Sequence, residues 1–267
     1  RFEDNKVSFD RMVLSLNRIP VTLTGSINDF NRLLLDLNLS LPDVDLQSLH
    51  VALPELKGID IKGAGDASAR IGGSVASPEI YGEAAVKSGT VFGQAFMASA
   101  SFELKNGTLV VSSRDLKIYG GEAETSLRLE LAKKEPSLSI SSRFTRLDLS
   151  KVAQGSPGIL GQASGTLLIS GPLANLAGNL SAELSSAAIF GQPATALNSS
   201  FRVSEGEFYL DSFRVTSAAA AFSARGKIGR DLSLDVASQA EGLRLSGRGV
   251  FGKMAVKVDS FSGNLRL

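Results

Sequence analysis

The chain has 267 residues with 28 Lys and Arg against 27 Asp and Glu, and a formal charge of +1 gives no electrostatic basis for binding nucleic acid or another polyanion. Charged residues make up 21%, below the roughly 25% of ordinary soluble domains, yet no apolar run approaches the roughly 20 residues that a spanning helix needs. The absence of Cys excludes disulfides and thiolate chemistry, while the single His50 excludes His-rich metal clusters and argues against a histidine-dependent triad.

In chain order, the dominant signal is two-residue alternation, which sends successive side chains to opposite faces of a strand. It appears first in Leu33, Leu35, Leu37, Leu39 and Leu41, then in Phe96, Ala98, Ala100, Phe102 and Leu104. The clearest case sets Ala123, Thr125, Leu127, Leu129 and Leu131 against Glu122, Glu124, Arg128 and Glu130. Leu138, Ile140 and Phe144 follow, with Leu167 and Ile169 beyond them. The pattern closes with Phe222, Ala224 and Ile228, with Leu232, Leu234 and Val236, and with Met254, Val256 and Val258. Helical spacing is confined to two short stretches that start at Asp45 and Asp148, where each Asp would serve as N-cap.

Turn signals separate these runs. Asn106-Gly107, Gly120-Gly121, Ser156-Pro157-Gly158 and Glu205-Gly206 suit hairpins that need positive φ, so neighbouring strands should pair as a meander. A repeat is also present: Phe92-Gly93-Gln94 returns as Phe190-Gly191-Gln192, and Gly73 as Gly171, in both cases after 98 residues. The expected division is 1–60 as the end of one unit, 61–150 and 151–230 as two further units, and 231–267 as terminal strands. About seventeen strands spaced about 4.8 Å apart would make a sheet about 80 Å long. Its apolar face must be hidden in a sandwich, a closed barrel or a trough that holds a ligand. Small residues at many inward positions, such as Ala67, Ala69, Ala163, Gly165, Ala182, Ala218, Ala220 and Ala224, together with the lack of Trp, favour a trough or a thin interior.

Sharper motifs do not survive inspection. Gly247-Arg248-Gly249-Val250-Phe251-Gly252 has the spacing of a dinucleotide loop, but Lys253 to Val258 alternate as a strand where a helix N-terminus would be required. Gly155 to Gly161 lacks the Gly-Lys-Ser/Thr ending of a phosphate loop and reads as a connector. Glu122 with Glu124, and Glu205 with Glu207, place paired carboxylates on the wet face of a strand, where solvation accounts for them. The expectation is therefore a protein that is not an enzyme, with no catalytic residue, metal or cofactor.

The short Asp-Leu connectors (Asp45-Leu46, Asp148-Leu149), the Gly73-Ser74 and Gly171-Pro172 steps, the two Phe-Gly-Gln triplets, and the later Asn106-Gly107 and Glu205-Gly206 steps before alternating strands form a recurring sentence. In this the chain resembles the AsmA-like superfamily of bacterial envelope proteins, of the TamB and YhdP type. The resemblance implies an all-β fold, a long antiparallel meander curled into an open hydrophobic groove, described as a β-taco. It further implies a periplasmic protein, anchored to the inner membrane by a segment outside this chain, that carries phospholipid between inner and outer membranes. A chain that starts at Arg1 without Met and stops within an alternating run reads in the same way, as a piece of a longer protein.

On that reading the groove would be lined by Leu35, Leu37, Leu39, Phe96, Phe102, Leu104, Leu127, Leu129, Leu131, Ile140, Phe144, Leu167, Ile169, Phe222, Ile228, Leu234 and Val256. The partner would be phospholipid or another acyl lipid, with a possible outer-membrane assembly partner and no nucleic acid. Two rival readings accompany it: a scaffold for outer-membrane proteins that pairs a client strand with its sheet edge, and a closed structural sandwich without ligand.

Overall fold

The computed structural model describes residues 2–3, 5–16, 19–48, 60–152, 159–189, 192–204, 207–216, 221–228, 232–238, 244–249 and 256–262. His50, Ser156 to Gly158, Phe190-Gly191, Glu205-Gly206, Ala218, Ala220 and Gly252 lie outside the described residues.

The chain divides into two compact units, Arg1–Lys134 and Glu135–Leu267. The first contains β1 (Phe2–Glu3), β2 (Lys6–Leu16), β3 (Ile19–Asn28), β4 (Leu34–Asp45), β5 (Ile61–Ser74), β6 (Ser77–Val91), β7 (Gln94–Lys105), β8 (Thr108–Ile118) and β9 (Gly121–Glu130). The second contains β10 (Ser137–Asp148), β11 (Ile159–Pro172), β12 (Asn175–Ile189), β13 (Gln192–Ser204), β14 (Glu207–Thr216), β15 (Ala221–Ile228), β16 (Leu232–Ser238), β17 (Arg244–Gly249) and β18 (Val256–Ser262). Within each unit every strand pairs antiparallel with the next, as alternation and short turns dictate. No pairing joins first strand to last among the described residues of either unit, so each is an open, all-β meander.

Local sequence accounts for the punctuation. Phe92-Gly93, Asn106-Gly107 and Tyr119-Gly120 are two-residue hairpin loops with positive φ at both positions, the mirror-image turn whose twist matches that of the flanking strands. The turn expected at Gly120-Gly121 thus lies one residue earlier, and Gly121 begins β9. A 3-10 turn at Leu46–Ser48 and a helical turn at Leu149–Val152 are the only helical elements among the described residues. Their caps are as expected: Asp45 Oδ1 accepts from Gln47 N, and Asp148 Oδ1 from Ser150 N, both at 3.0 Å. Gly247 and Gly249 lie within β17 and pair with β18, which removes the geometry of a dinucleotide loop.

One feature of the strands is absent from simple alternation. Each of β2, β4, β6, β8, β10, β12 and β14 carries a β-bulge, at Asp10-Arg11, Pro42-Asp43, Lys87-Ser88, Arg114-Asp115, Thr145-Arg146, Ser185-Ser186 and Asp211-Ser212. All fourteen of these residues are exposed. An extra residue bends a strand and sharpens its twist. Repeated on alternate strands, it creases the sheet within each unit. Pro42 fits here because a bulge needs no ladder N–H from it.

Burial follows the crease. Val44, Ala123, Phe144, Ala163, Leu184 and Ala187 flank or face the bulges and are only 6–8% exposed. Residues beside the bulges are thus buried on the apolar side. Leu46, in the connector, adds to it by packing against the bare backbone of Gly65. Even so, no large side chain among the described residues is fully buried. A sandwich core at organic-crystal density would bury several.

Candidate functional site

The meander registers apolar side chains into rows that run across the strands. On β3 to β9, Leu23, Leu39, Ala69, Gly82, Phe102, Val111 and Leu127 stand opposite one another. A neighbouring row contains Gly25, Leu37, Ile71, Ile80, Leu104, Leu109 and Leu129. Leu35 faces Ile27 and Gly73, and Phe96 faces Gly89 and Ile118. Six strand steps of about 4.8 Å make each full row about 29 Å long. Apart from the buried Leu23 and Leu37, the aliphatic and aromatic members are half-buried.

The second unit repeats the arrangement. Ile140, Ile169, Gly178, Phe201, Leu210, Gly226 and Leu234 are in register, as are Phe144, Gly165, Ala182, Leu197, Val215 and Phe222. Leu167 pairs with Leu180 on the same face. The backbone register extends to Ile228, opposite Phe208 and Leu232, and to Val256, opposite Gly249. Two expected positions fall elsewhere. Leu131 lies one residue past β9, donates its N–H to Gly107 O at 2.7 Å and is 50% exposed. Leu33 sits in the turn before β4 with φ 50° and is likewise exposed.

Phenylalanine and glycine are matched across strands. A β-carbon on Gly82 would lie 2.3 Å from Phe102 Cζ, one on Gly89 2.6 Å from Phe96 Cε1, and one on Gly178 2.4 Å from Phe201 Cζ. Each ring therefore lies down over a bare backbone instead of standing into the space above the sheet. Phe201 also stacks on Phe208 with centroids 5.2 Å apart. These aromatics make a low, smooth floor. Sequence reading identified Phe96 and Phe102 but missed their glycine partners, which only the register reveals.

The opposite face is mostly polar, with Met97 and Leu168 also exposed on it. Ser40, Ser68, Glu83, Ser101, Ser112 and Ser126 form one of its rows, and Arg70–Asp36 and Lys105–Glu79 ion pairs lie on it. The Glu79 carboxyl is held below its ordinary range by Lys105, and that of Glu207 by Lys227, with Tyr209 Oη donating to it at 2.8 Å. Arg202 lies over the Tyr209 ring at 4.2 Å. Two depressions are lined by residues of both alternation phases: Asp66, Glu83 and Arg114 with Leu41, Ala67 and Ala100 in one, and Arg70, Glu83 and Ser101 with Leu39, Phe102 and Val110 in the other. Glu122 and Glu124 are exposed on the polar face, as solvated carboxylates should be.

No family model, curated protein or solved structure matches the chain. Among the described residues there is no group of three or more His, Asp or Glu placed to hold a metal ion, and no helix long and apolar enough to cross a membrane. The outstanding chemical feature of both units is thus the apolar face itself.

Two local predictions arise from these faces. The Ser113 hydroxyl, opposite Thr125 on the apolar side, is buried without a hydrogen-bond partner. Ser113→Ala should stabilise the protein by about 1 kcal/mol, because an unpaired buried hydroxyl carries a penalty of about 1–3 kcal/mol; a urea midpoint moved upward at constant slope would show it. On the polar side, Asp66 accepts Asp43 N–H and Asp115 accepts the Ser99 hydroxyl and N–H, which holds both carboxyls below their ordinary value of 3.8. A depressed carboxyl stabilises the fold above its unfolded pKa and loses that contribution as pH falls through its folded pKa. The urea midpoint should therefore be level from neutrality to about pH 5 and fall below about pH 4, less steeply in Asp115→Asn than in wild type.

Proposed function

We propose that this chain is a segment of a non-enzymatic lipid conduit, in which the creased sheet forms an open hydrophobic groove and phospholipid acyl chains slide along it. The observation that carries the reading is the set of apolar rows in register across the strands, half-buried and floored by recumbent Phe rings. Acyl chains bind through nonspecific contact at about 0.8 kcal/mol per buried methylene. Movement needs such contacts to be weak and uniform, and a face without ion pairs provides no place for cargo to stall.

Further support comes from strand lengths. β5 and β6 have 14 and 15 residues, and so have β11 and β12, which fits a unit of about 98 residues used twice. Together with the resemblance noted in the sequence, this favours a periplasmic bridge for phospholipid between the inner and outer membranes, its membrane attachment lying in regions outside this chain. Mass spectrometry of an organic extract of the purified protein tests the proposal: phospholipid recovered in proportion to protein supports it. A protein free of lipid that instead captures a client β-strand would replace it with the edge-pairing scaffold.

A further inference from the structure

The crease is tied from the polar side. Five of the bulged strands are joined at the bulge to the unbulged strand beside them. Asp43 N–H in β4 donates to Asp66 Oδ1 in β5 at 3.0 Å, and Lys87 Nζ in the β6 bulge meets Asp66 Oδ2 at 3.2 Å. Asp115 in the β8 bulge accepts Ser99 N–H at 3.0 Å and the Ser99 hydroxyl at 2.6 Å. Arg146 N–H in β10 donates to Ser164 Oγ in β11 at 2.9 Å, and Asp211 in the β14 bulge accepts Arg202 Nε at 3.0 Å. A bulge removes a backbone N–H from the ladder, and an orphaned donor must find another acceptor. At β4 and β10 the acceptor is a side chain at the same place in the pairing: Asp66 opposite Pro42-Asp43, and Ser164 opposite Thr145-Arg146.

We infer that Asp66 is a positioning residue that ties the bulges of both its neighbouring strands with one carboxylate and so sets the angle of the crease. Each oxygen serves one bulge, so its loss unties both bulges together. The angle fixes how far apart the two arms of the apolar face stand, and with it the girth of cargo admitted. That consequence rests on the conduit reading, whereas the crease itself does not.

The test needs no lipid, so its failure is distinguishable from failure of the conduit. The chain lacks Cys, so nitroxide labels at Ser77→Cys and Thr90→Cys report the end-to-end distance of β6 without background. Thirteen residue steps of about 3.3 Å would span about 43 Å in a straight strand, and the creased strand is shorter. In folded Asp66→Ala the electron–electron distance should lengthen toward that limit and its distribution broaden. An unchanged distance in folded Asp66→Ala would overturn the inference. If Asp66→Ala does not fold, Lys87→Met, which severs the β6 tie alone, decides: lengthening upholds the role, and an unaltered distance rejects it.

Discussion

Replacing Leu127 and Leu129 together by Asp should reduce phospholipid transfer between donor and acceptor vesicles by at least an order of magnitude while leaving the far-ultraviolet circular dichroism of the sheet in place. Both residues stand in the apolar rows on β9 and are half-buried, so the folded protein forfeits only part of the about 1.5–3 kcal/mol that full burial of each would contribute. Water still reaches the new carboxylates when the face is empty. A passing acyl chain would have to strip it away, and an unpaired carboxylate surrounded by hydrocarbon costs far more than a chain gains from a few methylenes. Transfer assayed with a fluorescent phospholipid reads the effect directly. Undiminished transfer by the folded variant would mean that cargo does not travel over β9.

The second large effect concerns the floor. Gly82→Val should lower stability by about 2–3 kcal/mol, the upper part of the overpacking range. Its β-carbon would meet Phe102 Cζ at 2.3 Å and, less forgivingly, Ser68 O at 2.5 Å. The ring can swing away, but the backbone oxygen belongs to the ladder and cannot. In a protein of this size the loss corresponds to a fall in Tm of about 4–12 °C, readable by calorimetry. Phe102→Ala in the same background should recover only the part due to the ring, which separates the two clashes.

The strands and their faces were legible in the sequence because a period of two is enforced by backbone geometry wherever one face is apolar. Leu127, Leu129, Phe102 and Ile140 were placed on the apolar side by that rule alone. It fails at Leu131 because the apolar-polar pattern runs on past Glu130 while the chain leaves the ladder, and at Leu33 because a left-handed turn residue interrupts the run. The crease was not read at all, although its signal is present. On each bulged strand the inward residues step once by three instead of two, from Leu41 to Val44, Phe144 to Leu147, or Leu210 to Phe213, across two exposed residues. A single such pair looks like any solvated surface; its meaning emerges only when adjacent strands are aligned. The glycine beneath each Phe is hidden for the same reason, since Gly82 and Phe102 are neighbours by register and not by sequence.

Photo-crosslinking along β9 tests the central claim most directly. With benzoylphenylalanine placed singly at Glu124, Thr125, Ser126, Leu127, Arg128 and Leu129, and vesicles carrying radiolabelled phospholipid, lipid adducts should appear at 125, 127 and 129 and be absent at 124, 126 and 128. Adducts at neither set, or equally at both, would contradict an apolar face that takes up acyl chains.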